Sequence, residues 1–379
     1  MDRLSPEFLE SLSNEIPSPS LIVFPESIRS NIQLMIDIAG NVSRLRPHIK
    51  TYKMREVVLA QMESGIRKFK CATLAETRLL IECRANEALL ARQPAGPDIS
   101  SLIQLAKENP DTNIATIIDN PASLQSIEAE CRAAQLPIGI FLDINVGMNR
   151  TGIRADDADS LYQSIHDSDW VNLEGLHVYD GHIRDSDPDE RTGHAHSEYQ
   201  PVKELLERLE AKGLPVPTII AGGSPTFPVH AQRKNVELSP GTTLLWDFGY
   251  GDLFEDLPFK HAALLLTRVI SKPGPDLVCF DLGHKAVASE MPHPRVRLLG
   301  LEDDLEFVGH SEEHLVARTD RASELSIGDA FLGIPYHICP TVALHNKAVV
   351  VEGGKPTGTW TVAARDRIVF ETQSSSGLR

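Results

Sequence analysis

The chain has 379 residues, 41% of them hydrophobic and 24% charged, which is ordinary for a globular protein of two domains or of one barrel with an extension. Its formal net charge of −16 argues against nucleic acid or an anionic membrane as a partner, because both bind clustered Lys and Arg. It contains no apolar run of membrane-helix length, no signal-peptide pattern and no C-x-x-C motif among its five cysteines, so we expect a cytoplasmic protein without disulfides.

Strand and helix patterns alternate through the first part of the chain. A helical pattern over 26–39 is followed by strand-like runs at 44–50, 67–72, 87–92, 113–119, 138–145, 171–179, 217–221 and 236–239. Helical patterns fall between most of these runs, at 54–64, 73–85, 99–108, 121–134, 155–167 and 197–212. Eight strands interleaved with helices predict a (β/α)8 barrel over residues 25–248. A doubly wound open sheet is the alternative, but no G-x-G-x-x-G motif opens the first helix.

The pattern changes after residue 248. Apolar runs separated by Gly, Pro and Asp turns replace the helical periodicity, at 262–270, 277–280, 296–301, 349–351 and 368–370. These runs predict a C-terminal β domain over residues 249–379. We expect the N-terminal segment, residues 1–24, to pack with this domain, and the tail, residues 374–379, to be disordered.

Two lysines lie where the first predicted strand gives way to a helix. Lys50 and Lys53 follow the run Arg46-Pro47-His48-Ile49. In barrel enzymes the C-terminal ends of the strands carry the catalytic groups. A partly desolvated lysine at such an end can act as an amine nucleophile toward an aldehyde. The alternative is an ordinary surface lysine on a turn.

A glycine-rich loop follows the seventh predicted strand. Gly222, Gly223 and Ser224 come directly after the buried run 217–221. Glycines let backbone N–H groups point inward, and barrels often bind phosphate after strands seven and eight. An amine after strand one and a phosphate loop after strand seven together suggest pyridoxal phosphate, which needs both. A glycine turn without a ligand is the alternative.

Two potential metal ligands lie close together in the predicted β domain. His337 and Cys339 are two residues apart, and on a strand this spacing places both side chains on one face. An imidazole with a thiolate favours zinc, and two protein ligands leave positions for water and substrate. The alternative is an ordinary half-buried pair. His194 and His196 also form an H-x-H pair, but in a polar, charged loop, residues 184–198, that we expect to be solvated rather than metal-binding.

Six motifs, taken together and in their order, are similar to those of one enzyme family. They are Arg46-Pro47-His48-Ile49-Lys50-Thr51, Asn149-Arg150-Thr151-Gly152, Tyr179-Asp180-Gly181, Gly222-Gly223-Ser224, Asp281-Leu282-Gly283-His284-Lys285-Ala286 and His337-Ile338-Cys339-Pro340-Thr341. The sequence resembles the metal-dependent fold-type III pyridoxal phosphate enzymes that group D-threonine aldolase with D-serine dehydratase. The motifs span nearly the whole chain, and their conjunction is far more specific than any one of them.

The resemblance implies a fold, an assembly and two cofactors. The fold is an alanine racemase-like (β/α)8 barrel followed by a C-terminal β domain that carries the metal ligands. The assembly is a homodimer with the active site at the subunit interface. The cofactors are pyridoxal 5'-phosphate and a divalent metal, with zinc expected and manganese or magnesium as alternatives.

The resemblance further implies roles for particular residues. Lys50, rather than Lys53, would form the Schiff base with the cofactor, Arg150 would contact its phenolic oxygen, and Tyr179 would lie in the cofactor pocket. The other implied contacts are those of the phosphate with Gly222, Gly223 and Ser224, and of the metal with His337 and Cys339 beside the substrate's β-hydroxyl. The aldolases have a histidine shortly after the Tyr-x-Gly turn, so His182 is a candidate catalytic residue.

The activity that the resemblance implies is a lyase reaction on a small D-3-hydroxy amino acid. Cleavage of the Cα–Cβ bond, as in D-threonine aldolase, leaves glycine and an aldehyde. Loss of the hydroxyl, as in D-serine or D-threo-3-hydroxyaspartate dehydratase, leaves a 2-oxo acid and ammonia. Cys339 is typical of the dehydratases, but Pro340-Thr341-Val342 is similar to the aldolases, and we favour the aldolase. A racemase on this fold would need no metal, and a non-catalytic carrier would need no second domain.

Overall fold

The computed structural model describes residues 6–367, and all statements of structure refer to that range. In chain order the strands are β1 (Ser20–Val23), β2 (Lys68–Cys71), β3 (Glu87–Leu90), β4 (Asn113–Ile118), β5 (Ile138–Asn145), β6 (Ile153–Arg154), β7 (Val171–Val178), β8 (Thr218–Ala221), β9 (Val236–Leu238), β10 (Ala263–Gly274), β11 (Leu277–Phe280), β12 (Val296–Leu298), β13 (Glu306–His310), β14 (Leu315–Arg318), β15 (Ala330–Pro335), β16 (Lys347–Glu352) and β17 (Lys355–Thr361). The helices are α1 (Pro6–Ser13), α2 (Pro25–Ala39), α3 (Arg55–Glu63), α4 (Leu74–Glu82), α5 (Pro97–Glu108), α6 (Pro121–Ala134), α7 (Ala158–His166), α8 (Pro188–Ala211), α9 (Phe227–Ala231), α10 (Phe248–Leu253) and α11 (Ile338–Leu344). Among these helices, none combines the length and apolar character needed to cross a membrane.

The first sheet is a curled ring of parallel strands in the order β2-β3-β4-β5-β7-β8-β9, with the short β6 beside β5. Residues 45–48 lie between the two ends of this order, where Leu45 pairs with Leu238 and His48 pairs with Lys70. The Arg46 N–H donates to the Leu238 carbonyl at 2.8 Å, which adds to this closure. The predicted barrel is therefore confirmed, with its first strand reduced to two isolated bridges.

Helix α2 shows how an outer helix packs into the main core. Its apolar residues recur three and four positions apart, and Ile28, Ile32 and Met35 are no more than 1% exposed. Pro25 lies in the first turn, and the helix ends at Gly40, whose φ of 72° is the left-handed conformation that favours glycine. Burying each large apolar side chain contributes about 1.5–3 kcal/mol, so this stripe holds α2 in place.

The second sheet combines the beginning and the end of the chain. Its order is β13-β14-β11-β10-β1-β16-β17, and β15 pairs with β10 and β12. β1 runs antiparallel to β10 and parallel to β16, so it lies inside the C-terminal sheet. Phe8 and Leu12 of α1 are buried in the same small core as Leu264 and Leu332. The domain boundaries that we predict after residues 24 and 248 stay predictions.

Helix α8 is longer than the sequence pattern indicates. It begins at Pro188 rather than near residue 197, because Asp187 caps it by accepting hydrogen bonds from two N–H groups of the first turn. Proline is favoured at this position, since the N–H that it lacks has no partner there. His194 and His196 therefore lie on a helix and not in a loop.

The H-x-C pair does not lie on a strand. β15 ends at Pro335, His337 is the residue before α11, and Cys339 and Pro340 lie in the first turn of that helix. The prediction that both side chains share one strand face is therefore wrong in its secondary structure. A proline is tolerated in a first helical turn for the same reason as in α8. The predicted strand 368–370 and the tail 374–379 lie outside the described residues.

Candidate active site

The mouth of the barrel is formed by the segments that follow the C-terminal ends of its strands. Lys50 lies in the 3₁₀ turn Ile49–Thr51, directly after the residues that close the ring. The turn is held by His48, whose Nδ1 accepts a hydrogen bond of 3.2 Å from the Lys50 N–H. The half-buried side chain of Lys50 is thus presented at the end of strand one.

Three cationic side chains surround the ring of Tyr179, which directly follows β7. The Nζ atoms of Lys50 and Lys70 lie 6.0 and 5.0 Å from the ring centroid, and the guanidinium carbon of Arg150 lies 4.9 Å from it. These distances fall within the range of cation–π contacts. The structure thus brings together three residues of the predicted site, Lys50, Arg150 and Tyr179, and adds Lys70, which the sequence analysis missed.

Lys53, the other candidate amine, has a different environment. Its ammonium forms an ion pair with Glu76, whose side chain is fully buried. Glu76 also accepts a hydrogen bond of 2.6 Å from the Ala72 N–H. An amine held in a buried ion pair is not free to react with an aldehyde, so the surroundings of the two lysines favour Lys50 as the reactive one.

Lys70 ends a buried chain of hydrogen bonds inside the barrel. Its Nζ donates to His177 Nε2 at 3.1 Å and to the Ser239 hydroxyl at 2.8 Å. His177 Nδ1 donates to Asp143 at 2.6 Å, since a carboxylate can only accept. Burial and the charge of Lys50 lower the pKa of Lys70 to about 7, and burial and the charge of Lys70 lower the pKa of His177. The barrel interior therefore contains an amine that is only partly protonated at neutral pH.

The loops after β8 and β9 meet at Ser224. Its hydroxyl oxygen accepts hydrogen bonds from the N–H groups of Gly241 and Thr242, at 3.1 and 3.0 Å. The N–H groups of Gly222 and Gly223 donate instead to other protein groups. The predicted phosphate loop is therefore built around Ser224, and Gly241 and Thr242 are backbone donors at this place that the sequence analysis missed.

Asp180 joins the Tyr179 turn to the same loop. Its carboxylate accepts hydrogen bonds from Thr226 Oγ1 and His230 Nε2, both at 2.7 Å. Burial raises the pKa of Asp180, but these two hydrogen bonds outweigh burial and hold it below its ordinary value. A Cβ added at Gly223 would lie 3.1 Å from the Tyr179 ring, so glycine lets the loop approach the ring closely.

The H-x-C segment reaches the same region from the C-terminal part of the chain. Cys339 Sγ lies 3.1 Å from the hydroxyl of Thr51, the residue next to Lys50. It also lies 3.6 Å from the hydroxyl of Thr242, in the loop after β9. The predicted metal ligands and the predicted amine are therefore neighbours within one chain.

The imidazole of His337 and the thiol of Cys339 interact directly. Burial alone would lower the pKa of His337 and raise that of Cys339. Their mutual hydrogen bond and charges prevail, so the pKa of His337 is raised to about 9 and the pKa of Cys339 is lowered. His337 Nδ1 is also paired with Glu290 at 2.6 Å, an arrangement common behind metal-binding histidines. Because the thiolate is the form that binds metals, the pair has the donor chemistry of a zinc site.

His182 faces a different group of side chains. Its ring lies edge-on to His194, with 5.8 Å between the centroids, and close to Glu198. His194, which we expected to be solvated, is only 37% exposed and is paired with Asp185 at 2.8 Å. His196 is exposed, as expected for a solvated residue. The predicted catalytic role of His182 stays a prediction.

The charges around Tyr179 suit an anionic ligand. The two buried carboxylates nearby, Asp143 and Asp180, are each engaged with a histidine. The positive charge of Lys50 and Arg150, with the partial charge of Lys70, is therefore suited to phosphate and other acidic groups. A half-buried amine at the barrel mouth and a glycine loop close to the Tyr179 ring fit pyridoxal phosphate, which carries an aldehyde and a phosphate.

The fold and this set of side chains define a class of protein, the pyridoxal phosphate enzymes with an alanine racemase-like barrel. The family model for the alanine racemase N-terminal domain matches residues 24–247, and the model for a putative serine dehydratase domain matches residues 262–351. The chain belongs to the fold-type III pyridoxal phosphate enzymes, in the family that groups D-threonine aldolase with the serine dehydratases, and it is a pyridoxal phosphate-dependent lyase. The predicted family and fold are confirmed.

The similarity extends over nearly the full length of known members. The chain is 28% identical to D-threonine aldolase from Arthrobacter sp. over 359 residues, which cover 92% of this chain and 93% of that protein. It is 26% identical to D-threo-3-hydroxyaspartate dehydratase from Delftia sp. (strain HT23) over 358 residues, 86% of this chain and 92% of that protein. The crystal structure of D-threonine aldolase from Filomicrobium marinum is similar with a TM-score of 0.83 and 26% identity, over 93% of this chain and 96% of that chain.

Proposed function

We propose that this protein is a pyridoxal phosphate- and divalent metal-dependent lyase that cleaves a D-3-hydroxy amino acid to glycine and an aldehyde, as a D-threonine aldolase does. The observation that carries the assignment as a metal-assisted lyase, for either reaction, is the 3.1 Å contact between Cys339 Sγ and Thr51 Oγ1. The 28% identity to D-threonine aldolase supports the aldolase reaction in particular. Because Thr51 adjoins Lys50, the contact joins the amine end of the site to the metal-ligand end. A small substrate bound at the amine end can therefore also contact the metal-ligand end.

The barrel residues hold the cofactor in this proposal. Pyridoxal phosphate, when bound, withdraws electrons from the substrate Cα. Lys50 provides the amine that meets its aldehyde, Arg150 neutralises its phenolic oxygen, and the ring of Tyr179 lines the pocket. The residues that seat the phosphate are Gly222, Gly223 and Ser224. What supports these roles is the convergence of three cations on Tyr179 and the meeting of two loops at Ser224.

The C-terminal residues hold the metal. A divalent ion, zinc in our expectation and manganese or magnesium as alternatives, supplies Lewis acidity at the substrate's β-hydroxyl. His337 and Cys339 provide an imidazole nitrogen and a thiolate for it, and Glu290 fixes the orientation of the imidazole through Nδ1. We keep His182 as the candidate group for the hydroxyl proton.

A dehydratase is the second candidate, and Cys339 is the feature that favours it. By the resemblance, dehydratases pair the metal-binding histidine with cysteine, whereas aldolases use aspartate. In that reaction the Lys50 amine removes the Cα proton and the β-hydroxyl leaves, so that a 2-oxo acid and ammonia are the final products. Lys50 at one end of the site and the metal ligands at the other would serve both reactions.

Product analysis with D-threonine separates the two candidates. The aldolase yields glycine and acetaldehyde in equal amounts, which is the result that we expect, whereas the dehydratase yields 2-oxobutanoate and ammonia. D-serine and D-threo-3-hydroxyaspartate are assayed alongside to define the side chain that the site accepts. If the protein loaded with pyridoxal phosphate and zinc forms neither set of products from any of these substrates, the proposed function is wrong.

Two controls address the metal. Cys339→Ala should lose the metal that is held with His337, and the activity with it, whereas Cys83→Ala should keep both. Cys83 ends helix α4, and burial raises the pKa of its thiol to about 11, so it is a poor ligand. Chelation should abolish activity and added zinc should restore it. A racemase on this fold would lose nothing on chelation.

We further propose a cytoplasmic homodimer with the active site at the subunit interface, acting on a small molecule. The net charge of −16 supports a partner other than nucleic acid. Sedimentation analysis of the active enzyme tests the assembly, because a fully active monomer would contradict a site that needs two subunits.

A further inference from the structure

We propose that His182, His194 and Glu198 form a second divalent-cation site that binds zinc, separate from His337 and Cys339. One nitrogen of each histidine and one carboxylate oxygen of Glu198 all lie within 4.8 Å of one another. Donor atoms on one tetrahedral zinc ion are about 3.4 Å apart, so the side chains need to approach each other by no more than about 1.4 Å.

The imidazole of His182 gives the strongest evidence for a bound cation. Both of its ring nitrogens are shielded from solvent, and neither has a hydrogen-bond partner in the part of the chain that the structure describes. An unpaired buried polar group costs about 1–3 kcal/mol. Native proteins therefore satisfy such groups with protein, water or an ion. A cation at Nε2 would satisfy one of these two nitrogens.

His194 and Glu198 are arranged for the same ion. They are four residues apart on α8, which places them on one face of the helix, and His194 Nε2 lies 3.7 Å from Glu198 Oε1. The other nitrogen of His194, Nδ1, is paired with Asp185 Oδ2 at 2.8 Å. A carboxylate behind the ring fixes its orientation, leaves Nε2 toward the ion and strengthens it as a ligand.

Gly147, in the loop after β5, leaves room beside these ligands. A Cβ added at this position would lie 2.6 Å from Glu198 Oε2 and 2.8 Å from His182 Nε2. Its φ of 102° also favours glycine. Glu198 Oε2 and His182 Nε2 therefore lie on the same side of Gly147.

The donor set selects the ion. Two imidazoles and one carboxylate suit zinc better than magnesium or calcium, which prefer oxygen ligands. Three protein ligands leave one position for water. With the ion bound, Nε2 of His182 would be a ligand and could not accept the substrate's hydroxyl proton, so this role would replace the catalytic one for which His182 is a candidate. The ion would connect helix α8 to the turn after β7. That turn also contains Tyr179, three residues before His182, so the site would position the ring that lies among the three cations.

Metal analysis of variants tests the proposal on the full chain loaded with pyridoxal phosphate. His337→Ala combined with Cys339→Ala removes the other proposed site, and after zinc loading and gel filtration this protein should retain one zinc ion per chain. Adding His194→Ala or the isosteric Glu198→Gln should abolish the retained zinc. Adding His196→Ala, an exposed residue of the same helix, should leave it unchanged. Circular dichroism confirms that each variant is folded.

Two further readouts define the site. Asp185→Asn should weaken zinc binding about 10–100-fold, the usual effect of removing a carboxylate behind a histidine ligand. Cobalt bound to the double variant should show ligand-field bands without thiolate charge transfer, since no sulfur is present. Absence of zinc from the double variant, or zinc that survives both His194→Ala and Glu198→Gln, would overturn the proposal. These readouts measure metal rather than turnover, so they are independent of the reaction that the enzyme catalyses.

Discussion

Replacing Arg46 with methionine should destabilise the barrel at the strand that leads to Lys50. The Arg46 side chain is 3% exposed and pairs with Glu237 at 2.7 Å and with Glu87 at 2.5 Å. It therefore ties the first strand to strands β9 and β3. In Arg46→Met two carboxylates lose this cation while the methionine keeps much of the apolar contact.

The size of the loss in unfolding free energy depends on the interactions that Glu237 and Glu87 retain in the variant. Removing one partner of a buried ion pair costs about 3–5 kcal/mol. Glu237 retains its ion pair with Lys68, and Glu87 is 31% exposed and can be solvated, so we expect the lower end, about 3 kcal/mol. For a barrel of this size that corresponds to a loss of about 6–12 °C in Tm.

Thermal unfolding followed by circular dichroism, with and without pyridoxal phosphate, measures this effect. Arg29→Met is the matched control, because Arg29 pairs with Glu352 on the surface at 3.0 Å, with both side chains more than 40% exposed. Exposed pairs contribute about 0–1 kcal/mol. If Arg46→Met lowers Tm no more than Arg29→Met does, the buried ion pairs do not stabilise the first strand and the reasoning is refuted.

Two other buried groups give predictions of pH dependence. The pKa of Asp180 is lowered in the folded state, so the stability that it contributes is present above its unfolded value of about 3.9 and is lost as the pH falls through the folded value. The difference in unfolding free energy between wild type and Asp180→Asn should therefore shrink below about pH 4 in urea titrations, and a constant difference would contradict this. Lys70 gives a dependence of the same sign in a higher pH range, because a folded pKa of about 7 lies below the unfolded value and its burial is costly while it is protonated. Wild type should gain stability relative to Lys70→Met as the pH rises from about 7 toward about 10, and parallel pH profiles would argue against a depressed amine pKa.

Much of the barrel could be predicted because buried parallel strands are short apolar runs bounded by turn residues. β5 spans Ile138–Asn145, which are the predicted bounds. The first strand is shorter than predicted, since Pro47 has no N–H to donate to a ladder and the chain enters a 3₁₀ turn at Ile49. The start of α8, by contrast, was predicted wrongly. Asp187 followed by a proline is the signal for that start, and the apolar periodicity obscured it.

The active site was less predictable, because its contacts join segments that are far apart in the chain. Lys70 lies inside a strand, and whether such a residue faces the interior depends on register and neighbours rather than on local pattern. Gly241 and Thr242 reach Ser224 only because β8 and β9 are adjacent in the sheet. The place of Cys339 beside Thr51 depends on the second sheet returning to the barrel mouth, which no local motif specifies.

The central claim is that the amine of Lys50 carries the cofactor. The competing amines are those of Lys70, which also lies near Tyr179, and of Lys53, three residues after Lys50. Borohydride reduction of the enzyme loaded with pyridoxal phosphate, followed by peptide mapping, tests it directly. We predict that the label lies on Lys50 alone and that Lys50→Ala abolishes it. A label on Lys53 or Lys70 would contradict the account.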